Sequence, residues 1–198
     1  MYPKDVHDNL LSQDQRDILK AGALFCYDLG KPVVADVDRY VENTDMKLGA
    51  YTIADQPDVP RNVTVTRTET TALDTGGTIV ITGTNILDEV ITETITVGAT
   101  TVTVAGTKAF KTLTEIKGVG WEVATAADKI TVGCGNELGL PFALSNALDA
   151  PFGVLGGTML ACATTVTDPP TVEGTTIDMN AGTYDGAKEA QVLARYSA

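Results

Sequence analysis

The chain has 198 residues, of which 43% are apolar and 20% charged. That is enough for one globular domain, or one domain plus an arm, and it excludes a disordered chain. The formal net charge of −12 repels phosphate backbones and anionic lipid surfaces, so neither nucleic acid nor a membrane is expected as a direct partner.

Residues 1–60 read as an N-terminal arm with one short helix and one strand. MYPKDVHDNLL lacks the apolar core of a secretory signal, and no run of about 20 apolar residues occurs, so synthesis in a reducing cytoplasm is expected. Ser12 and Gln15 form a capping box, and Ile18, Leu19 and Ala23 recur at helical spacing, which predicts a helix over 13–24. In KPVVADVDRYVEN the positions Val33, Ala35, Val37, Arg39 and Val41 alternate against Val34, Asp36, Asp38 and Tyr40, as on a half-buried strand. DQPDVP at 55–60 is a proline-rich joint.

From Arg61 to Ala198 the sequence is Thr-rich and alternating. NVTVTRTET, GTIVITGT, VITETITV, TTVTVAGT and LTEIKG follow at about ten-residue spacing, which is the spacing of an all-β sandwich or barrel. β-Branched Thr and Val disfavour helix and suit a pleated surface. Val and Ile are expected on the inner face of each strand, with Thr, Glu and Arg on the polar side. Turns are expected at Asp74–Gly77, Asn85–Asp88, Gly98–Ala99 and Gly106. GVGWEVA and DKITVG read as two further strands, GCGNELG as a glycine-rich turn, and PFGVLGGTMLACATTV as a strand pair. VEGTTIDM and AKEAQVLARYSA read as closing strands. The fold class is therefore mainly β: an antiparallel sandwich or jelly-roll-like barrel over 61–198, preceded by the helix-bearing arm.

DTGGTIVITGT, Asp74 to Thr84, matches three enzyme signatures at once. As an aspartic-protease loop, Asp74-Thr75-Gly76 needs a second carboxylate a few ångströms away, which a dimer could supply, and a companion Gly-Arg motif that cannot be placed here. The sugar-kinase reading lacks βαβ alternation, and the asparaginase reading lacks its downstream histidine. A simpler account makes Asp74 a turn cap, Gly76 and Gly77 the residues of a chain reversal, and Thr78–Thr82 a strand. The one histidine, His7, lies in the arm, and Cys26, Cys134 and Cys162 are too far apart for a zinc motif, so buried reduced thiols are expected and no cofactor or catalytic residue is assigned. Asn62-Val63-Thr64 is a glycosylation sequon without a visible secretory route. Asp178, Asp185 and Glu189 could hold a cation, but read more simply as a solvated acidic edge. Phe110 and Trp121 are expected in the core.

RNVTVTRTETT, TGGTIVITGTN followed by ITETITV, GTKAFKTLTEI, GNELGLP and AGTYDG…ARYSA together resemble small β-rich virion proteins of tailed bacteriophages, among them capsid decoration (cement) proteins. The resemblance covers roughly two thirds of the chain, from 61 to 198. It implies a structural role: binding the outer capsid lattice and bracing the head against DNA pressure. It implies the major capsid protein as partner, a homo-oligomer with a trimer favoured, and residence in the virion after synthesis in the host bacterial cytoplasm. Tyr2, Leu10, Leu11, Ile18 and Leu19 are the candidate interface residues, as part of a docking arm or of a cover over one end of the sandwich. The alternatives are a neck adaptor or tail protein, and a carbohydrate- or surface-binding β-module.

Overall fold

The computed structural model describes residues 23–70, 74–122, 127–179 and 183–196, and among these there is no α-helix. The first strands are β1 (Ala23–Gly30), β2 (Asp36–Asp45), β3 (Gly49–Ala50), β4 (Arg61–Thr68) and β5 (Gly77–Thr84). They are followed by β6 (Val90–Val97), β7 (Val102–Phe110), β8 (Thr112–Val119) and β9 (Lys129–Gly139). A 3-10 turn at Ala147–Asp149 leads to β10 (Phe152–Leu155), β11 (Thr158–Ala161), β12 (Ala163–Val166), β13 (Thr175–Asp178) and β14 (Ala190–Tyr196).

The strands form three antiparallel sheets. One has the order β1-β14-β10-β11, the second β12-β13-β9-β4-β7 with β2 also on β9, and the third β3-β8-β5-β6. The second and third sheets face each other over the first core, where Val63, Val65, Ile79, Ile81, Ile130 and Val132 are wholly buried. Each such side chain contributes about 1.5–3 kcal/mol by leaving water. The β1-β14-β10-β11 sheet closes a second core with Leu138, Leu140, Ile177, Val192 and Ala194. At 11 residues, β9 is long enough to serve both, with Ile130 to Cys134 in the first and Leu138 in the second.

The Thr/Val alternation fixes the register where it is strict. β5 and β6 pair without a shift from Gly77↔Val97 to Thr84↔Val90. Their turn is organised by Asn85, whose side-chain oxygen accepts from the Leu87 and Glu89 amides at 2.9 and 3.1 Å, while Asp88 takes a φ of 65°.

Several expectations are corrected. The helix expected over 13–24 lies mostly outside the described residues, and Ala23 onward is strand, paired with β14 from Ala23↔Tyr196. That partner is remote in sequence, so no local pattern announces it. β1, β2 and β3, all from the expected arm, are hydrogen-bonded to β14, β9 and β8. The alternation read in 33–41 breaks at register shifts in β2: Tyr40 and Val41 are both buried, and Val37 is 53% exposed. GCGNELG is not a turn but part of β9. Its glycines stand where other groups crowd the strand: a Cβ on Gly133 would lie 1.8 Å from the Asp36 carbonyl oxygen, and one on Gly135 2.1 Å from Asn62 Oδ1. Gly106 lies inside β7, and Trp121, expected in a strand, lies outside any strand yet is buried in the first core. Gly76 and Gly77 do not take a left-handed φ; a Cβ on Gly77 would lie 2.8 Å from the Val119 carbonyl oxygen.

Candidate functional site

The Asp74 loop is the motif the sequence singles out, and it is knotted into the interior. Asp74 is 4% exposed, and its Oδ2 accepts from the Asp128 amide at 2.5 Å. Its side chain therefore caps the start of β9. Below it lies Arg67, wholly buried and paired with the equally buried Asp128. Arg67 Nε donates to Asp128 Oδ2 at 2.9 Å, and Nη2 donates to the same oxygen and to the Asp74 carbonyl. Nη1 donates to the carbonyls of Thr75 and Gly98 at 3.0 and 2.6 Å. Asp128 Oδ1 takes the Thr70 amide at 2.8 Å. One guanidinium thus ties β4 to the loop before β5, the β6–β7 turn and the start of β9. A planar fork of five N–H donors is suited to that task.

A second buried arginine, Arg61, does the same at the other end of β4. Its Nε donates to the Gly135 carbonyl at 2.9 Å, and Nη1 to Val33 O at 3.0 Å and Asp58 Oδ1 at 3.1 Å. Asp58 in turn accepts from the Val33 amide and stands 3.7 Å from Arg39. The proline-rich joint is held to β9 in this way.

Glu93 is a further buried charged residue, 9% exposed on β6. Burial raises its carboxyl above the usual range, against the opposing pull of the Thr107 amide and hydroxyl. Arg67 and Glu93 were expected on the polar side of their strands. Parity places them inside: Arg67 is in phase with Val63 and Val65, and Glu93 with Ile91, Ile95 and Val97. The alternation carried that signal, but residue type obscured it.

Other candidates are resolved residue by residue. Among the described residues no three His, Cys, Asp or Glu side chains gather as a metal site. Asp185 accepts from the Ala187 and Lys188 amides and pairs with Lys188 at 2.9 Å. The Lys188 contacts lower its carboxyl to about 2. Glu189 pairs with Lys31 at 4.0 Å. Asn62 of the sequon is 2% exposed, with its amide bonded to Gly106 O and Glu137 N, so it fills the ladder shift in β4 instead of facing solvent. Phe110 and Trp121 are in the core, as expected. Of the cysteines, Cys134 is buried, Cys162 half-buried and Cys26 exposed, so burial does not extend to all three. Tyr2, Leu10, Leu11, Ile18, Leu19 and His7 lie outside the described residues.

The outer face of the β1-β14-β10-β11 sheet has no motif to announce it. Register sets Cys26, Leu193, Phe152 and Ala161 in one row across β1, β14, β10 and β11. Asp28, Gln191, Val154 and Met159 form the next row. Phe152 is 46% exposed and Met159 62%. At about 4.8 Å per strand the rows span roughly 15 Å.

No protein-family model, curated protein or solved structure matches this chain.

A contiguous exposed apolar patch rimmed by polar groups marks a contact surface more often than it marks a reaction centre. The polar border here is Asp28, Lys188 and Glu189, the last two beside Val154 and the Gly156–Gly157 turn, and Gln191 stands within the face on β14. Among the described residues the face has no buried nucleophile–base pair on it; Cys26 Sγ is set 3.7 Å from Gln191 Oε1. A cleft of about 610 Å³ opens elsewhere, between Tyr27, Pro57, Pro60, Ile86 and Lys111. The polar groups along it are engaged within the protein: Gln56 with the backbone of Leu113, Lys111 with Asp88, and Asp58 with Arg61.

Proposed function

We propose that this chain is a structural component of a tailed-phage particle, a decoration protein that seats on the outer capsid lattice as a homo-oligomer, with a trimer favoured. The observation that carries the reading is the apolar outer face of the β1-β14-β10-β11 sheet, where Phe152 and Met159 stand exposed on β10 and β11. Two features support it. Residues 61–198 resemble head-associated phage proteins in the phrases quoted above, and the interior charged groups tie loops to strands. A lattice protein acts in many copies, so a contact of modest area suffices for each. Stiff loops reduce the ordering cost of each contact.

The test is made on particles. Mass spectrometry of purified virions is expected to contain the chain, and cryo-electron microscopy to place it on the shell. Phe152→Asp with Met159→Asp is expected to abolish attachment while leaving the far-UV spectrum and melting temperature near those of the parent. Density at the neck or tail moves the protein to another virion position, and absence from the particle overturns the proposal.

A further inference from the structure

β6 is the last strand of its sheet and β7 the last strand of the neighbouring one, yet they are consecutive in the chain. Among the described residues no backbone ladder pairs them. Along this seam the facing main-chain groups need other partners. Two side chains reach across in opposite directions. Glu93 Oε1 of β6 accepts from the Thr107 amide at 2.6 Å and the Thr107 hydroxyl at 3.1 Å. Lys108 Nζ of β7 donates to the Thr92 carbonyl at 3.1 Å. The Glu93 carboxyl fills the space that a side chain on residue 106 would take, since a Cβ there would lie 2.5 Å from Oε2. A side chain at 106 would therefore have to displace the Glu93 carboxyl.

We propose that Glu93 is a proton-operated latch on this seam: β6 and β7 close on each other when its carboxyl is neutral and part when it is ionised. The surroundings explain the direction. Oε2 is buried without a well-formed hydrogen bond. Across the β5–β6 ladder the partner is Ile81, which carries no charge, and from β4 the neutral Asn62 bonds the carbonyl of Gly106. Among the described residues the cation facing the carboxyl is Lys108, already engaged with Thr92 O and set 3.7 Å from Glu173. An ionised carboxylate here has lost most of its water and gained a shared counter-ion. Ionisation recovers hydration only if the seam admits water. The neutral acid keeps Oε1 as acceptor for both Thr107 donors and removes the charge.

The pH dependence follows from the direction in which the carboxyl is moved. The folded-state value lies above the ordinary carboxylic value, because burial outweighs the Thr107 and Lys108 contacts. The latch is therefore fully closed below the unfolded-state value and is released as pH rises through the folded-state value. Release uncovers two strand edges together with Val102 and Val104, which pack at the margin of the first core. It operates whether or not the protein sits on a particle.

Hydrogen exchange read by mass spectrometry over residues 90–97 and 102–110, corrected for intrinsic rates, tests the latch between pH 4 and 8. Protection of the wild-type seam is expected to fall as pH rises, by about tenfold for every pH unit that separates the folded-state value from the unfolded-state one. Glu93→Gln is expected to hold it constant, because the amide cannot ionise. Equal pH dependence in the two proteins overturns the proposal. Carboxyl NMR of the wild type decides the matter even where the variant fails to fold. The Glu93 signal is expected to titrate above its unfolded-state value together with the Thr107 amide. Titration at or below that value, or without the Thr107 amide, overturns it.

Discussion

Replacing Arg67 by methionine removes five hydrogen bonds from one side chain and leaves the Asp128 carboxylate without its cation. Both residues are wholly buried, so solvent does not screen the loss. Breaking a buried pair by removing one partner costs about 3–5 kcal/mol. The carbonyls of Thr75 and Gly98 are only partly buried and can recover water, so they add little. The Thr70 amide remains on Asp128 and softens the loss. A destabilisation of about 4 kcal/mol is expected, a large part of the 5–15 kcal/mol typical of a whole domain. For a chain of this length it corresponds to a fall in Tm of roughly 10 °C. Urea unfolding followed by the fluorescence of the single Trp121, itself 3% exposed, measures it. Arg67→Lys keeps the charge but not the fork, and is expected to recover less than half of the loss. The double variant Arg67→Met/Asp128→Leu is expected to be more stable than Arg67→Met alone, because it leaves no bare charge. A loss below about 1 kcal/mol for Arg67→Met, or a double variant as damaged as the sum of the two singles, refutes this account of the knot.

Three further predictions follow from neighbouring features. Asp74→Asn keeps the shape of the side chain but weakens the acceptor for the Asp128 amide; a loss of about 1–2 kcal/mol in urea is expected. If the same substitution instead abolished a peptidase activity of the purified protein, Asp74 would belong to a catalytic pair. Gly133→Ala sets a methyl 1.8 Å from the Asp36 carbonyl oxygen, so β2 must lift from β9; a cost of about 3 kcal/mol is expected, and a neutral result in thermal melts would contradict the crossing. The cysteines should separate in thiol titration at pH 8. Exposed Cys26 reacts first, while burial pushes the Cys162 thiol up to about 11 and Cys134 is enclosed. Simultaneous reaction of all three in the folded protein would be the contrary outcome.

The run from β4 to β6 was legible because Thr, Val and Ile alternate strictly and turn residues punctuate them, whereas β7 runs on through the turn expected at Gly106. β5 and β6 occupy the expected residues, Gly77–Thr84 and Val90–Val97. Legibility fails where a strand's partner is distant. Ala23 continues the helical spacing of Ile18 and Leu19, and only the pairing with β14 makes it the start of a strand. It fails again where glycine is needed for clearance: GCGNELG reads as a turn until Asn62 and the Asp36–Val37 backbone are seen lying against it. Buried charge is the third case. Arg61, Arg67 and Glu93 are of types that sit outside by default, and only a partner such as Asp128, or the space left beside Gly106, explains why they are inside. The outer apolar face was hidden for a related reason. PFGVLGGTMLA is apolar on both parities, so this stretch does not say which of its sides lacks a cover.

The position of β14 bears on the order in which the fold is made. It lies between β1 and β10, so the ribosome delivers both flanks of the sheet before their middle. The contact of Cys26 with Gln191 spans 165 residues, and β1 must stay soluble for that whole interval of synthesis. Such remote pairing slows folding and leaves an open edge exposed to neighbouring nascent chains. Completion of this sheet is therefore a late event, and shortening the chain by the length of β14 would divide the sheet into two unconnected parts.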